Sequence, residues 1–129
     1  MTMTFDNNQP IYLQIMNHVK RQIITGKLKP GDKIESVREM AAELQINPNT
    51  IQRTFQELER EGIVETKRGL GRYVTSEELT IMQMKKGMAG DLLDHFVQGM
   101  KELGFRESEI VAIVSDAVGM DKEETGREA

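Results

Sequence analysis

The chain has 129 residues, a formal net charge of −4 and no cysteine. This length fits one domain, or a small domain with an appendage, and the lack of cysteine excludes disulfides, a thiolate zinc site and a cysteine nucleophile. No apolar run is long enough to cross a membrane, and the first ten residues do not resemble a signal peptide. We therefore expect a cytoplasmic protein with no membrane partner.

The charge is distributed unevenly along the chain. Basic residues slightly outnumber acidic residues up to residue 75, whereas acidic residues dominate from residue 76 onward. The overall acidity argues against a protein that simply coats nucleic acid. The division instead favours a site-specific DNA-binding segment followed by a separate acidic segment.

The first predicted helix begins after Pro10, a residue suited to the first turn of a helix. Apolar residues recur at every fourth position and predict one buried face. A turn at Pro30 and Gly31 and a short extended piece over about residues 33–35 follow. The apolar face consists of Ile11, Ile15, Val19 and Ile23.

Two shorter helices are predicted next. Ser36 and Glu39 have the S-x-x-E spacing of a capping box, which marks a helix start. Asn47 suits the N-cap of the following helix and Pro48 its first helical position. Two helices joined by a short turn, over about residues 37–56, predict a helix-turn-helix whose second member is the recognition helix.

The polar side of this second helix carries amides, a hydroxyl and a guanidinium, with no acidic residue before Glu57. Such groups pair with base edges in the major groove of DNA. A plain solvated surface has the same composition, so this pattern alone leaves both interpretations open. The polar residues are Asn49, Thr50, Gln52, Arg53 and Gln56.

Two β-prone runs around the loop "RGLG" predict a hairpin after the recognition helix. A hairpin in this position is a wing, here over about residues 63–75. Basic side chains clustered with glycines favour contact with DNA phosphates over a plain solvated turn. The predicted contact residues are Lys67, Arg68, Gly69, Gly71 and Arg72.

A long helix capped by Ser76 and ended by Gly104 is predicted next, and a last short helix over about Glu107–Val118. Two helices of unequal length cannot cover each other's apolar faces, so we expect a second copy of the chain to cover the remaining stripe. The predicted dimerisation residues are Met84, Met88, Leu92, Phe96 and Met100. The predicted domains are a winged helix-turn-helix (1–77), a helical dimerisation segment (78–118) and a disordered tail (119–129).

A metal site or catalytic site receives little support from the sequence. Asp91 and His95 stand four residues apart on the long helix and could both face a metal. However, the chain has only two histidines, His18 and His95, on distant segments. No spacing places a nucleophile beside a base and an orienting group. We therefore predict no enzyme activity, no metal and no cofactor.

The motifs of about residues 9–77 resemble the winged-helix domain of GntR-type bacterial transcription regulators. Four features agree in order: "G-x-L-x-P-G-D", "S-V-R-E", a helix that ends in "L-E-R-E-G", and "R-G-x-G" at the wing. The "NPNT" helix start and the short C-terminal segment resemble the YtrA-type subfamily. Its members carry two dimerising C-terminal helices in place of a large effector domain.

This resemblance implies specific DNA contacts. Arg38 matches the arginine that reaches bases from the start of the second helix, and Gly71 matches the wing tip that enters the minor groove. The chain departs from the family at Pro48, where many members carry an arginine, and Arg53 is offset by one position from the usual arginine. The front of the recognition helix is matched by Asn49, Thr50 and Gln52, and the predicted interface also includes Ser36 and Asn47.

The predicted fold is mainly α with a small β-hairpin, an N-terminal winged helix-turn-helix followed by two C-terminal dimerisation helices. The predicted function is sequence-specific transcription regulation, by a repressor that binds double-stranded DNA at a palindromic operator as a homodimer. The alternative is a winged helix that binds other proteins and does not read DNA. The polar helix face and the basic wing favour the first. The resemblance implies control of a transporter operon; the sequence identifies no small-molecule inducer.

Overall fold

Within residues 3–119, the part of the chain that the computed structural model describes, five helices and one hairpin follow one another. The strands β1 and β2 are antiparallel and directly connected. This order confirms the predicted class, which is mainly helical with a small hairpin. The elements are α1 (Ile11–Ile24), α2 (Val37–Leu44), α3 (Pro48–Arg60), β1 (Val64–Lys67), β2 (Gly71–Val74), α4 (Glu78–Glu102) and α5 (Glu107–Val118).

The chain divides into two compact units, one ending at Lys86 and one beginning at Gly87. This division lies inside α4, later than the domain boundary predicted after residue 77. The first turns of α4 belong to the N-terminal unit, and Met84 is buried there. Gly119 ends α5 with a φ of 75°, and the rest of the predicted tail lies outside the described residues.

The core of the N-terminal unit forms where α3 packs between α1 and α2, with β1 at its end. The large apolar residues of α3, Ile51, Phe55 and Leu58, stand at i, i+4 and i+7 and are fully buried. Burial of each such side chain contributes about 1.5–3 kcal/mol. In contrast, Ile11 in the first turn of α1 is exposed, so the buried face of α1 begins one turn later than predicted. The fully buried side chains include Ile15, Val19, Met40, Ile51, Phe55 and Leu58.

The starts of α2 and α3 follow the predicted caps. Ser36 Oγ accepts a hydrogen bond from the Glu39 amide at 3.1 Å, and Glu39 Oε1 accepts one from the Ser36 amide at 3.2 Å. Asn47 Oδ1 accepts a hydrogen bond from the Asn49 amide at 2.8 Å. Each cap satisfies backbone donors that a helix start leaves unpaired.

Left-handed residues follow both helices of the helix-turn-helix. Gly62 has a φ of 77° after α3. Gln45 has a φ of 55° after α2, although its side chain makes this conformation sterically costly. No sequence signal predicted a left-handed glutamine, because glycine is the usual residue at this position.

The predicted cap of α4 at Ser76 is wrong. The helix begins at Glu78, and the Ile81 amide donates a hydrogen bond to the Glu77 carbonyl oxygen at 3.2 Å, which places Glu77 at the cap. The hydroxyl of Thr75 accepts a hydrogen bond from the Glu77 amide at 3.1 Å. Because Thr75 is itself buried at the end of the hairpin, it holds the helix start one residue later than predicted.

The extended piece before α2 pairs with the hairpin along β2. The Ile34 amide donates to the Arg72 carbonyl oxygen at 2.9 Å, and the Val74 amide donates to the Asp32 carbonyl oxygen at 2.8 Å. Lys33 stands opposite Tyr73 in an isolated antiparallel bridge. This pairing brings the start of α2 next to the wing.

Candidate nucleic-acid interface

The front of α3 presents a polar face. Asn49, Gln52 and Arg53 stand at i, i+3 and i+4, so they share one side of the helix. The Asn47 carboxamide oxygen is occupied by the helix cap, which leaves its NH₂ group as a donor. Thr50 is half-buried, and its carbonyl oxygen accepts a hydrogen bond from the Thr54 hydroxyl at 2.9 Å.

Arg53 is held in place by an aromatic ring of α1. Its guanidinium carbon, Cζ, lies 3.9 Å from the centroid of the Tyr12 ring. Stacked arginines keep their N–H groups available at the edge of the stack. Sequence reasoning missed Tyr12 because only the packing of α1 on α3 brings the two residues together.

Arg38 and Ser36 lie at the start of α2. Arg38 is exposed, and no ion pair joins it to a residue within 3–119. The Ser36 hydroxyl oxygen already accepts the cap hydrogen bond from Glu39, so its O–H is the group left to donate to a DNA acceptor. Arg38 therefore has more hydrogen-bond donors available for DNA than Ser36 has.

The tip of the wing is a tight turn. Leu70 donates its amide hydrogen to the Lys67 carbonyl oxygen at 2.8 Å. Gly69 and Gly71 have φ values of 77° and 115°, a region that side chains rarely adopt. Arg68 is exposed at this turn, and the ammonium nitrogen of Lys67 lies 4.5 Å from the centroid of a ring on β2, that of Tyr73.

Lys33 is a further cation at the wing, absent from the predicted set. A Cβ atom placed on Gly71 would lie 3.0 Å from Lys33 Cε, so the lysine side chain runs along the backbone of the turn. Lys33 is exposed. The bridge between Lys33 and Tyr73 determines this position of Lys33. No spacing in the sequence predicts that bridge.

Arg72 turns inward to α3. Its Nε lies 2.9 Å from Glu59 Oε1, and its Cζ lies 5.1 Å from the centroid of the Phe55 ring. The Thr66 hydroxyl donates a hydrogen bond to the same Glu59 oxygen. The Thr66 hydroxyl, followed by the Arg72 guanidinium, lowers the pKa of Glu59, although partial burial opposes this shift. The structure therefore gives Arg72 a partner inside the protein, and its phosphate contact stays a prediction.

A small cleft separates the wing from the start of α2. Its volume is about 170 Å³, and its lining includes Lys33, Glu35, Ser36 and Arg72. Burial, with the neighbouring Glu43 carboxyl group, raises the pKa of Glu35. The cleft is smaller than the several hundred cubic ångströms usual for small-molecule sites, so it does not indicate an inducer site.

The predicted dimerisation residues differ in exposure. Met84 is only 9% exposed, whereas Leu92 is 60% exposed and Phe96 is 38% exposed. Met88 and Met100 are half-buried. Met84 therefore packs within its own unit, and the uncovered stripe begins at Met88. The second unit has further exposed apolar residues that the predicted stripe did not include. They are Leu93, Leu103, Val111, Ile113, Val114 and Val118.

Asp91 and His95 are both exposed on α4. Across residues 3–119, no three or more His, Asp or Glu side chains come together in a way that could hold a metal ion. In the same stretch, no helix is long and apolar enough to span a membrane.

Comparison with known proteins places these features in a family. The profile described as bacterial regulatory proteins, gntR family, matches residues 11–74. The uncharacterized HTH-type transcriptional regulator YhcF of Bacillus subtilis (strain 168) is 44% identical over 107 residues, which cover 83% of this chain and 88% of YhcF. The HTH-type transcriptional repressor YtrA of the same organism is 41% identical over 92 residues, 70% of this chain and 71% of YtrA. A solved structure of a GntR family transcriptional regulator from Listeria monocytogenes has a TM-score of 0.78 at 41% identity and covers 87% of this chain and 98% of that chain.

Proposed function

Because the chain belongs to the GntR family of bacterial regulatory proteins, and within it to the YtrA-type subfamily, we propose that it acts as a repressor that binds a palindromic DNA operator as a homodimer. The winged helix binds DNA, and the unit that begins at Gly87 joins two copies. Both copies act in the cytoplasm.

One observation carries this proposal. The backbone pairing of residues 32–34 with β2 sets the start of α2 beside the wing. Arg38 at the start of α2 and Lys33, Lys67 and Arg68 at the wing therefore belong to neighbouring parts of the N-terminal unit. Side chains at a helix start and cations on an adjacent wing suit a division between base contacts and phosphate contacts.

Dimerisation is supported by the exposed apolar side chains of the second unit. Leu92 and Phe96 lie one turn apart on α4, and Leu103 and Val111 are also exposed. A two-fold dimer would present two recognition helices to half-sites one helical turn apart, about 34 Å. This arrangement explains why a palindromic operator is proposed.

The test is DNA binding by the full-length chain. A duplex selected from a random library would be titrated at several salt concentrations, with a scrambled duplex of equal length as the control. We expect a preference of roughly 10³-fold or more for the selected duplex and an affinity that falls linearly on a log–log plot against salt. Equal affinity for both duplexes would contradict operator recognition and favour the protein-interaction alternative.

A further inference from the structure

We propose that Glu59 positions the wing on the recognition helix, and that this contact determines how strongly the wing contributes to DNA binding. This inference rests on the proposed function. Glu59 lies in the last turn of α3 and contacts both strands of the hairpin. It was not among the residues that sequence reasoning assigned to the interface.

The geometry of the contact is specific. Thr66 on β1 and Arg72 on β2 stand directly opposite each other in the hairpin register. The Thr66 hydroxyl donates to Glu59 Oε1 at 2.5 Å, and Arg72 Nε donates to the same oxygen at 2.9 Å. One carboxylate oxygen of α3 therefore holds a complete cross-strand pair. We call these three residues the wing clamp.

The wing clamp lies next to the tip of the hairpin. The pair formed by Thr66 and Arg72 is followed towards the turn by the pair formed by Lys67 and Gly71, which closes the hairpin. Residues 65–71 are all exposed, whereas the base of the hairpin is buried at Val64 and Val74. A two-stranded hairpin is marginally stable by itself. The wing clamp therefore anchors the hairpin to α3 on the tip side of its buried base.

The ion pair of the wing clamp distinguishes Arg72 from the other basic residues of the wing. The Arg72 side chain is only 22% exposed and is neutralised by Glu59. Lys67 and Arg68 are exposed, and no ion pair joins either of them to a residue within 3–119. We therefore assign phosphate contact to Lys67 and Arg68, and positioning to Arg72.

The direction in which DNA affinity changes when Glu59 is removed distinguishes positioning of the wing from a simple effect of charge. Removing a carboxylate near DNA reduces repulsion and should strengthen binding if charge alone matters. Loss of the wing clamp should instead weaken binding, because the cations at the tip are no longer held in register with the phosphates. Glu59→Ala is therefore expected to bind the selected duplex roughly twofold to tenfold more weakly than wild type, the range that corresponds to the net contribution of one hydrogen bond.

The matched control is Glu57→Ala. Glu57 lies on the same helix, carries the same charge and pairs with Arg60 at 3.3 Å within α3. This variant should bind the selected duplex as tightly as wild type, or more tightly. Thr66→Val is a second test, since it removes one hydrogen bond of the wing clamp and keeps a β-branched residue in the strand. It should weaken binding by a smaller factor than Glu59→Ala.

Hydroxyl-radical footprinting on the same duplex tests whether the effect is local. The positions protected by the wing are first identified as those that lose protection in Arg68→Ala. In Glu59→Ala or Thr66→Val, we expect reduced protection at these positions and unchanged protection by the recognition helix. Wild-type affinity in both variants, or an equal loss of protection at every position, would overturn the wing clamp. Failure of the wild-type chain to prefer the selected duplex would instead refute the proposed function.

Discussion

The guanidinium of Arg53 stacks on the ring of Tyr12, with Cζ 3.9 Å from the ring centroid. This contact joins α1 to the recognition helix. It holds one arginine of the proposed interface in a defined position before DNA is bound, which reduces the conformational entropy that binding must remove.

Removal of the ring should therefore weaken DNA binding. An exposed cation–π contact is worth about 0.5–1 kcal/mol, so Tyr12→Ala should raise the Kd for the selected duplex by about twofold to fivefold. Tyr12→Phe keeps the ring face and should bind like wild type. In an Arg53→Ala background, Tyr12→Ala should have no further effect. Additive losses in the double variant would show that Tyr12 acts independently of Arg53.

Arg38 and Arg68 should differ in the kind of binding they support. Arg38→Ala should weaken binding to the selected duplex by about 1–3 kcal/mol and relax the preference at one base position in each half-site. Arg68→Ala should weaken binding to every duplex and flatten the dependence on salt. The measurement is the Kd for selected and scrambled duplexes across salt concentrations. The division between base contact and phosphate contact fails if both variants lose equal affinity for both duplexes.

The proposed dimer depends on the exposed apolar side of α4. Leu92→Arg should produce a monomer in sedimentation experiments and reduce operator affinity. The Leu92 side chain is 60% exposed in one copy of the chain and is proposed to be buried between two copies, where an unpaired charge is costly. Asp94→Arg is the control, since two residues along a helix turn the side chain by about 200° to the opposite side. A Leu92→Arg chain that still sediments as a dimer contradicts the proposed interface.

The wing clamp should also give the stability of the protein a pH dependence. The pKa of Glu59 in the folded chain lies below its ordinary value of 4.5. The stabilisation from the ionised carboxylate is therefore fully present above that value and is lost as the pH falls through the folded pKa. Urea denaturation should show a constant difference in unfolding free energy between wild type and Glu59→Gln near neutral pH, and a shrinking difference below about pH 4.5. A difference that is unchanged in acid would exclude this source of stability.

Gln45 offers a stabilising substitution. Its φ of 55° places a residue with a side chain in the left-handed region after α2. Gln45→Gly should raise the free energy of unfolding by about 0.5–1 kcal/mol, because glycine adopts this conformation without the steric cost. Gln45→Ala keeps the Cβ atom and should give no gain. Urea denaturation of the three proteins measures the difference.

The sequence by itself determined the local elements, because their signals act between residues close together in the chain. The S-x-x-E spacing of Ser36 and Glu39 fixed the start of α2, and Asn47 with Pro48 fixed the start of α3. The glycine-containing loop of residues 68–71 predicted the hairpin. Caps and tight turns depend on hydrogen bonds within a few residues, which a single sequence displays directly.

Local signals failed where burial, which the sequence does not display, decided between residues with similar propensities. The cap of α4 was assigned to Ser76, a good capping residue. However, the hydroxyl of the buried Thr75 accepts a hydrogen bond from the Glu77 amide, and the helix begins at Glu78. Met84 fitted the apolar stripe of α4 as well as Leu92 did. Only the packing of the N-terminal unit decided that Met84 is buried and Leu92 exposed.

The tertiary structure alone decided which residues act together. Glu59 contacts Thr66 and Arg72, and Arg53 contacts Tyr12, across elements that are separated in the chain. The sequence showed the basic residues of the wing, but not that Arg72 turns inward while Arg68 stays exposed. Helical and strand periods define which face of an element is apolar. They do not define which polar side chain on one element meets a polar side chain on another, because that depends on how the elements pack around the shared core.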